Sequence, residues 1–519
     1  MRDAMCRARS AFGALGCLLL AATLLGDGPA SGASGGALAP LDPALFDRAA
    51  AAHLLSRAGF GGTGAEIDAL HALGLEKAVE SFLDPTRAES APPFTPSATG
   101  APGRRELSGL SKEERQKQVR SYREEDARQF QALRGWWIRR MALTTRPLVE
   151  KMVLFWHGHF ATSQREVRNS YLMHVQNELF RKHALGSFRD LTRAVAKDPA
   201  MLEYLDNNQN VRRKPNENFA RELLELFTLG VGNYSETDVK EAARALTGWT
   251  FRGNEFVFDR RRHDPGEKAF LGRTGAFDGD AIIDIVFEQP QCSRFIARKL
   301  FVFFAHEDPS PEIVEELARE LRDSGFQVAS VLRRLLRCSE FYSPRARGNR
   351  VKSPVELVVG TLRLLGMDPG AGPAVAGFAG RMGQDIFLPP NVKGWDGGRA
   401  WISTKTLFDR YEFSRVILGI GEADGRRPPA KKKKDGPPRA RGPLPPWDAS
   451  AGAAAILGPD FEKLAADALV EKVIRHFLGA PLPEEPRRKL IEFCAGASAE
   501  ARLRGLIHLV LSSPEYQLG

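Results

Sequence analysis

The chain has 519 residues, with 74 lysines and arginines against 64 acidic residues, a formal charge of +10. That is enough chain for two or three packed units with a substantial core. The charge excess does not point to a nucleic-acid partner, and none is expected. Eight basic residues and one Asp fall in RRPPAKKKKDGPPRARGPLPP at 426–446, a stretch without aromatics, so the rest of the chain carries only 10 minus 7, or +3.

In chain order, MRDAMCRARS is basic and leads into an apolar run from Ala11 to Leu25, then into the small, flexible GDGPASGASGGALAP. This predicts a signal peptide and leader over 1–39 and an exported protein: periplasmic, attached to the cell envelope, or secreted. Cleavage is expected after Ala30, Ala33 or Ala39, the last disfavoured by Pro40. An uncleaved anchor would need a run of roughly 20 apolar residues, and a lipid-modified Cys17 would sit before most of its apolar run. No later stretch is apolar over a spanning length, so no transmembrane span is expected in the mature chain. Cys6 and Cys17 belong to the leader. Cys292, Cys338 and Cys494 lie in apolar helical stretches without CxxC spacing and read as buried thiols.

The body, 40–422, is helical in its periodicity almost throughout. Val119, Tyr122, Phe130, Leu133 and Trp137 mark one face of a long charged helix, and Pro147 opens the next, with Leu148, Met152, Phe155 and His159 stacked along it. Asp198 reads as an N-cap ahead of Pro199. Ser235 and Asp238 stand at capping-box spacing, with Gly248 past the end of their helix. Strand signal is confined to 248–259, where GWTF and FVFD predict one hairpin. A Pro- and Lys-rich linker at 423–446 reads as solvated chain, with attachment to an anionic envelope polymer or lipid surface as its functional alternative. It precedes a helical tail, 447–519. The tail echoes the body: VLRRLLRCSEFYSP and LIHLVLSSPEYQLG both run an apolar helix into Ser, one residue, Glu and an aromatic. The expected class is mainly α: a multi-helix globular body with a small β-hairpin excursion.

Several blocks occur here in a set order: HLLSRAGFGGT, MVLFWHGHFAT, NFARELLELFTLGVGNYSETDV, EAARALTGW, HDPGEK, LGRTGAFDGDAIIDI, FIARKLFVFF, KSPVEL and PPNVKGWDGGRAWI. In this the chain resembles the bacterial family known as domain of unknown function eighteen hundred, over about His53 to Arg415. The resemblance implies an exported, largely helical protein, often encoded beside an alkaline-phosphatase-like protein that is a candidate partner. It implies no substrate, reaction or cofactor. Phe227 departs from the family pattern, which often has histidine there.

Chemistry-bearing residues cluster in four places. In FWHGHF, His157 and His159 would point about 200° apart on a continuous helix. A helix ending at Gly158 would put them on one extended face, a workable chelate for a divalent metal ion, with packing as the plainer alternative. Helical placement gathers Asn218, Arg221, Glu222 and Glu225 in one wedge, either a solvated face with an Arg221–Glu225 pair or two carboxylates offered to one cation. His263 and Asp264 follow in a loop, as ligand and general base or as turn chemistry. Lys393, Trp395, Asp396 and Trp401 make a glycine-rich loop able to stack a sugar or plug the core. No GxSxG elbow and no HExxH helix occurs.

Two function classes follow. One is a metal-dependent hydrolase in which His157, His159 and His263 hold the ion with Glu222 or Asp264, a remaining carboxylate such as Glu225 acts as base, and Arg221 or Lys393 receives negative charge. The other is a non-catalytic envelope protein that binds a polysaccharide or a partner protein through Trp395, Trp401 and neighbours such as Asn218. The first needs the imidazoles and carboxylates to converge. The second needs them scattered and the tryptophans exposed.

Overall fold

A computed structural model describes residues 36–100, 107–370, 372–420 and 447–519, apart from 459, 479–480 and 496–498. Residues 1–35 of the expected signal peptide and leader, and the expected linker (423–446), lie outside the described residues. From Ala37 onward the chain is one compact unit. It is mainly α, with two small antiparallel hairpins.

The helices are α1 (Arg48–Arg57), α2 (Gly64–Leu83), α3 (Lys112–Leu143), α4 (Pro147–His159), α5 (Gln164–Val167), α6 (Ser170–Lys182), α7 (Phe188–Ala196), α8 (Pro199–Tyr204) and α9 (Asn218–Glu222), which runs on as a π-helical turn (Leu223–Thr228), then α10 (Glu236–Ala245). Next come β1 (Trp249–Arg252), β2 (Glu255–Phe258), β3 (Lys268–Phe270) and β4 (Arg273–Gly275). The second half holds α11 (Gly279–Glu288), α12 (Pro290–Phe304), α13 (Pro311–Asp323), α14 (Val328–Arg337), α15 (Pro354–Leu364), α16 (Ala374–Arg381) and α17 (Thr404–Ile417). The tail is α18 (Ala449–Leu457), α19 (Ala466–Phe477), α20 (Glu484–Ala495), α21 (Ala499–Leu511) and α22 (Pro514–Gln517). β1 pairs with β2 from Trp249 opposite Phe258 to Arg252 opposite Glu255, the hairpin legible in the sequence. The hairpin β3–β4 is additional.

Helix starts follow their caps. Asp198 accepts from Met201 N–H, Ser235 and Asp238 form a reciprocal capping box, and Asp278 caps α11 through Ala281 N–H. The organising element is α4. Its sequence, PLVEKMVLFWHGH, is apolar on every side, and all of it except Gly158 is buried. Its two internal charges are paired in different directions, Glu150 with Arg140 and Arg181, Lys151 with Glu356. α3 and α6 flank it, and α15 packs across α3.

The tail packs on the body. The Trp447 indole donates to the Leu365 carbonyl (3.2 Å), His476 bonds the Leu364 carbonyl (2.8 Å), and the Tyr516 hydroxyl meets Thr361 (2.9 Å). α17 lies against α21, and Arg410 on α17 donates to Gln517 (2.9 Å). At the other end, Leu38 is buried, Ala37 N–H donates to Glu316 (3.0 Å) and Ser339 N–H donates to the Ala39 carbonyl (2.8 Å). Cys292, Cys338 and Cys494 are buried and unbridged. Among the described residues no helix is long and apolar enough to cross a membrane.

Candidate functional site

The C-terminal end of α4 carries FWHGHF, and the helix does not end at Gly158. It continues through His159, and Phe160 N–H closes the last turn on the Trp156 carbonyl (2.8 Å). The glycine with the special backbone lies across from it: Gly394, at φ +83°, presses on Gly158 so closely that a Cβ there would stand 2.4 Å from the Gly158 carbonyl oxygen. A helical backbone sends the two imidazoles to different sides.

His157 Nε2 accepts the Phe387 N–H (2.9 Å), and the ring packs among Trp137, Phe387 and Trp395. Burial pushes its pKa down to about 3, so the ring stays neutral. His159 Nε2 donates to the Phe227 carbonyl (3.0 Å), while Nδ1 accepts from Lys299 Nζ (3.1 Å). Burial and then the Lys299 charge hold His159 well below the ordinary histidine range. His263 bonds the Thr247 carbonyl through Nδ1 (3.0 Å) and meets the edge of Phe258. The expected shared site of His157, His159 and His263 therefore does not form: each ring is committed to a different backbone group. Among the described residues no three His, Cys, Asp or Glu side chains gather as a metal ion would require.

The wedge on α9 is also rearranged. At Leu223 the helix widens into its π turn, closed by the Thr228 hydroxyl on the Leu223 carbonyl (2.5 Å). The extra residue per turn swings Glu225 away from Arg221, and Glu225 instead accepts from the Tyr234 hydroxyl (2.6 Å). Arg221 pairs with Glu236 (2.8 Å) and Glu217 (3.2 Å). Asn218 donates its backbone N–H to Asn216 (3.0 Å). Glu222 is left half-buried, its carboxyl raised by burial and by the nearby Glu225 charge. The π turn frees two carbonyls from the helix ladder, Leu226 for Lys299 (3.2 Å) and Phe227 for His159.

Asp264 is engaged in structure: it accepts from Arg244 Nε (2.8 Å) and Gly266 N–H (2.9 Å), and Arg244 holds its carboxyl below the ordinary range. In the loop 389–401, Lys393 pairs with Asp396 (2.9 Å), both exposed. Trp401 is buried, whereas Trp395 is partly exposed, its ring set against His157 at 5.5 Å between centroids. The structure thus brings Trp395, His157, Lys393 and the His159–Lys299 pair to one end of α4, and leaves His263 and Asp264 on the β2–β3 connection.

Two groups escaped the sequence reading. Lys299, on α12, is mostly buried between His159 and the Phe295 ring (4.7 Å), and burial, then the Lys393 charge, bring its amine down to about 8. The other is a buried charge cluster of Arg57, Lys151, Arg350, Lys352 and Arg410 around the single carboxylate of Glu356. The available signal was a charge inside an otherwise apolar helical stretch, as in SRAG, FIARKLFVFF and KSPVEL.

A family model described as "Protein of unknown function (DUF1800)" matches residues 53–518. The chain belongs to this family. The match runs through the tail, so the DUF1800 unit includes α18 to α22 as well as the blocks up to Arg415. No curated protein and no solved structure matches the chain. Phe227 is the position set apart above from the resembled pattern. Its ring is buried against Phe160 (5.1 Å), and its backbone carbonyl serves His159.

Proposed function

We propose that this DUF1800 protein acts in the bacterial envelope by binding, with the loop 389–401 holding a polysaccharide, and not as a hydrolase built on the three histidines. The observation that carries this reading is the opposite fate of the two candidate sets. His157, His159, His263, Glu225 and Asp264 each already serve a structural hydrogen bond. Trp395 stays partly exposed on a glycine-rich loop, rimmed by the exposed Lys393, Asp396 and Arg399. A tryptophan with one face packed and the other wet is a platform for an apolar sugar face, and the polar rim supplies hydrogen bonds to hydroxyls. Trp401, buried beneath, anchors the loop rather than touching ligand; Asn218 lies on α9, outside the loop.

The test is co-sedimentation of the mature chain with insoluble envelope polysaccharide, beside Trp395→Ala and a His157→Ala, His159→Ala double variant. Retention lost in Trp395→Ala, with unchanged circular dichroism, is the expected result. Retention unaffected by Trp395→Ala, or near-stoichiometric metal in the parent that vanishes in the histidine variant, would return the hydrolase reading to first place.

A further inference from the structure

Among the described residues, a cavity of about 370 Å³ opens between α1, the segment 347–356, α19 and the C-terminal turn. Its polar wall carries Arg57, Arg347, Arg350 and Lys352 against Glu356 and the exposed Glu515. Lys151 lies against Glu356 from behind (2.6 Å). The lining also includes the apolar rings of Phe60 and Phe477.

The hydrogen-bond accounting leaves positive charge unanswered. Glu356 spends one oxygen on Lys151 and Arg350 and the other on the Ser353 N–H (2.8 Å). Arg57 is consumed by the carbonyls that end α12, Phe304 and Ala305 (both 2.8 Å). Arg350 also gives Nη1 to the Phe303 carbonyl (2.9 Å), which leaves Arg347 and Lys352 as the less used cations. The buried Nε atoms of Arg347 and Arg350 have no partner, and Lys352 gives one hydrogen bond, to the Tyr516 carbonyl (2.7 Å), while standing 4.0 Å above the Tyr516 ring. Holding several cations together in a low-dielectric setting with one fully used carboxylate costs free energy that a purely structural network avoids by one-to-one pairing. Burial brings Lys151 and Lys352 down to about 8.

We infer that this cavity is a binding site for an organic anion, a phosphate monoester or similar dianion on an apolar body, with its charged group against Arg347, Arg350 and Lys352 and its body against Phe60 and Phe477. The guanidinium forks suit the oxygens of such a group, and a concave basic wall concentrates it. This site is separate from the loop 389–401 and does not depend on the polysaccharide reading.

The experiment is isothermal titration calorimetry of the whole mature chain with phenyl phosphate, inorganic phosphate and benzyl alcohol. Arg347→Gln is the site variant, chosen because Arg347 is partly exposed, and Lys240→Gln, an exposed lysine on α10, is the charge control. Phenyl phosphate is expected to bind one to one, more tightly than inorganic phosphate, with affinity lowered about tenfold or more in Arg347→Gln and unchanged in Lys240→Gln. No saturable heat with phenyl phosphate up to ~10 mM would overturn the assignment. So would equal affinity for benzyl alcohol, for inorganic phosphate, or in the Arg347→Gln chain.

Discussion

Glu150 is the point at which removing a single charge should most directly loosen the helix that organises the fold. It is fully buried on α4 and accepts from Arg140 Nε (2.7 Å), from Arg181 Nε and Nη2 (2.6 and 2.9 Å) and from the Trp137 indole (3.1 Å). Burial alone would push this carboxyl up; Arg181 and Arg140 outweigh it and hold the group at about 2, against an ordinary 4.5. At about 1.4 kcal/mol per pH unit, that drop is worth about 3 kcal/mol of folding stability. The folded pKa is depressed, so the contribution is complete above pH 4.5 and is lost as pH falls toward 2. Glu150→Gln keeps the shape but not the charge, and Arg140 and Arg181 then fall back on Glu89 (3.3 Å) and Glu178 (2.7 Å). Urea unfolding should show a loss of about 3 kcal/mol near neutral pH, shrinking to about 1 kcal/mol near pH ~3 as the carboxyl of the unfolded parent chain takes up its proton. A neutral-pH loss below ~1 kcal/mol, or one that does not change with pH, would refute the account of α4 as pinned by this carboxylate.

Three further outcomes are expected. Metal content by inductively coupled plasma mass spectrometry should be the same in the parent and the His157→Ala, His159→Ala variant. His157→Ala alone should cost about 1–3 kcal/mol in chemical denaturation, because the buried Phe387 N–H loses its acceptor. Lys151, Lys299 and Lys352 are each depressed to about 8 from 10.5, so the unfolded chain holds more protons and these three should raise stability by about 3 kcal/mol between pH 8 and ~9. Above that, buried Cys292 and Tyr342, whose ionisation burial suppresses, pull the other way; a flat or falling curve from pH 8 to ~9 would contradict the buried lysine positions. Gly394→Ala should lift the loop 389–401 from α4, read as faster amide exchange over 389–401 and altered Trp395 emission. Gly377→Ala, where nothing lies within 4 Å of the new methyl, should do neither.

The helical architecture was legible because its signals are local. Asp198, Ser235 with Asp238, Pro147 and the long amphipathic face from Val119 to Trp137 each act within a few residues of the element they define. The hairpin at 249–258 was legible for the same reason, while β3 and β4, three residues each, are too short to leave a period. The candidate site was less legible. Gly158, read as a helix end, instead lies inside α4 against Gly394, a contact more than two hundred residues away in the chain, and the fate of Glu225 follows a π turn that helical angles do not anticipate. The basic cavity was invisible in sequence because its walls come from residues 57, 347–356, 477 and 516, each unremarkable in its own segment.

The burial of α4 also governs how the polypeptide can be made and divided. Its 13 residues find their partners at Gly59, Arg140, Arg181, Phe227, Glu356, Phe387 and Gly394. A chain that has just emitted this segment has Gly59 and α3 in hand and gains α6 soon after, but the cover from Glu356, Phe387 and Gly394 is still two hundred residues away. Folding must therefore be a late event dominated by distant encounters, slow and exposed to aggregation on the way. Fragments ending before about residue 400 should be insoluble, and proteolytic dissection should yield no stable half, because the seam along which the molecule would be cut runs through its most buried helix.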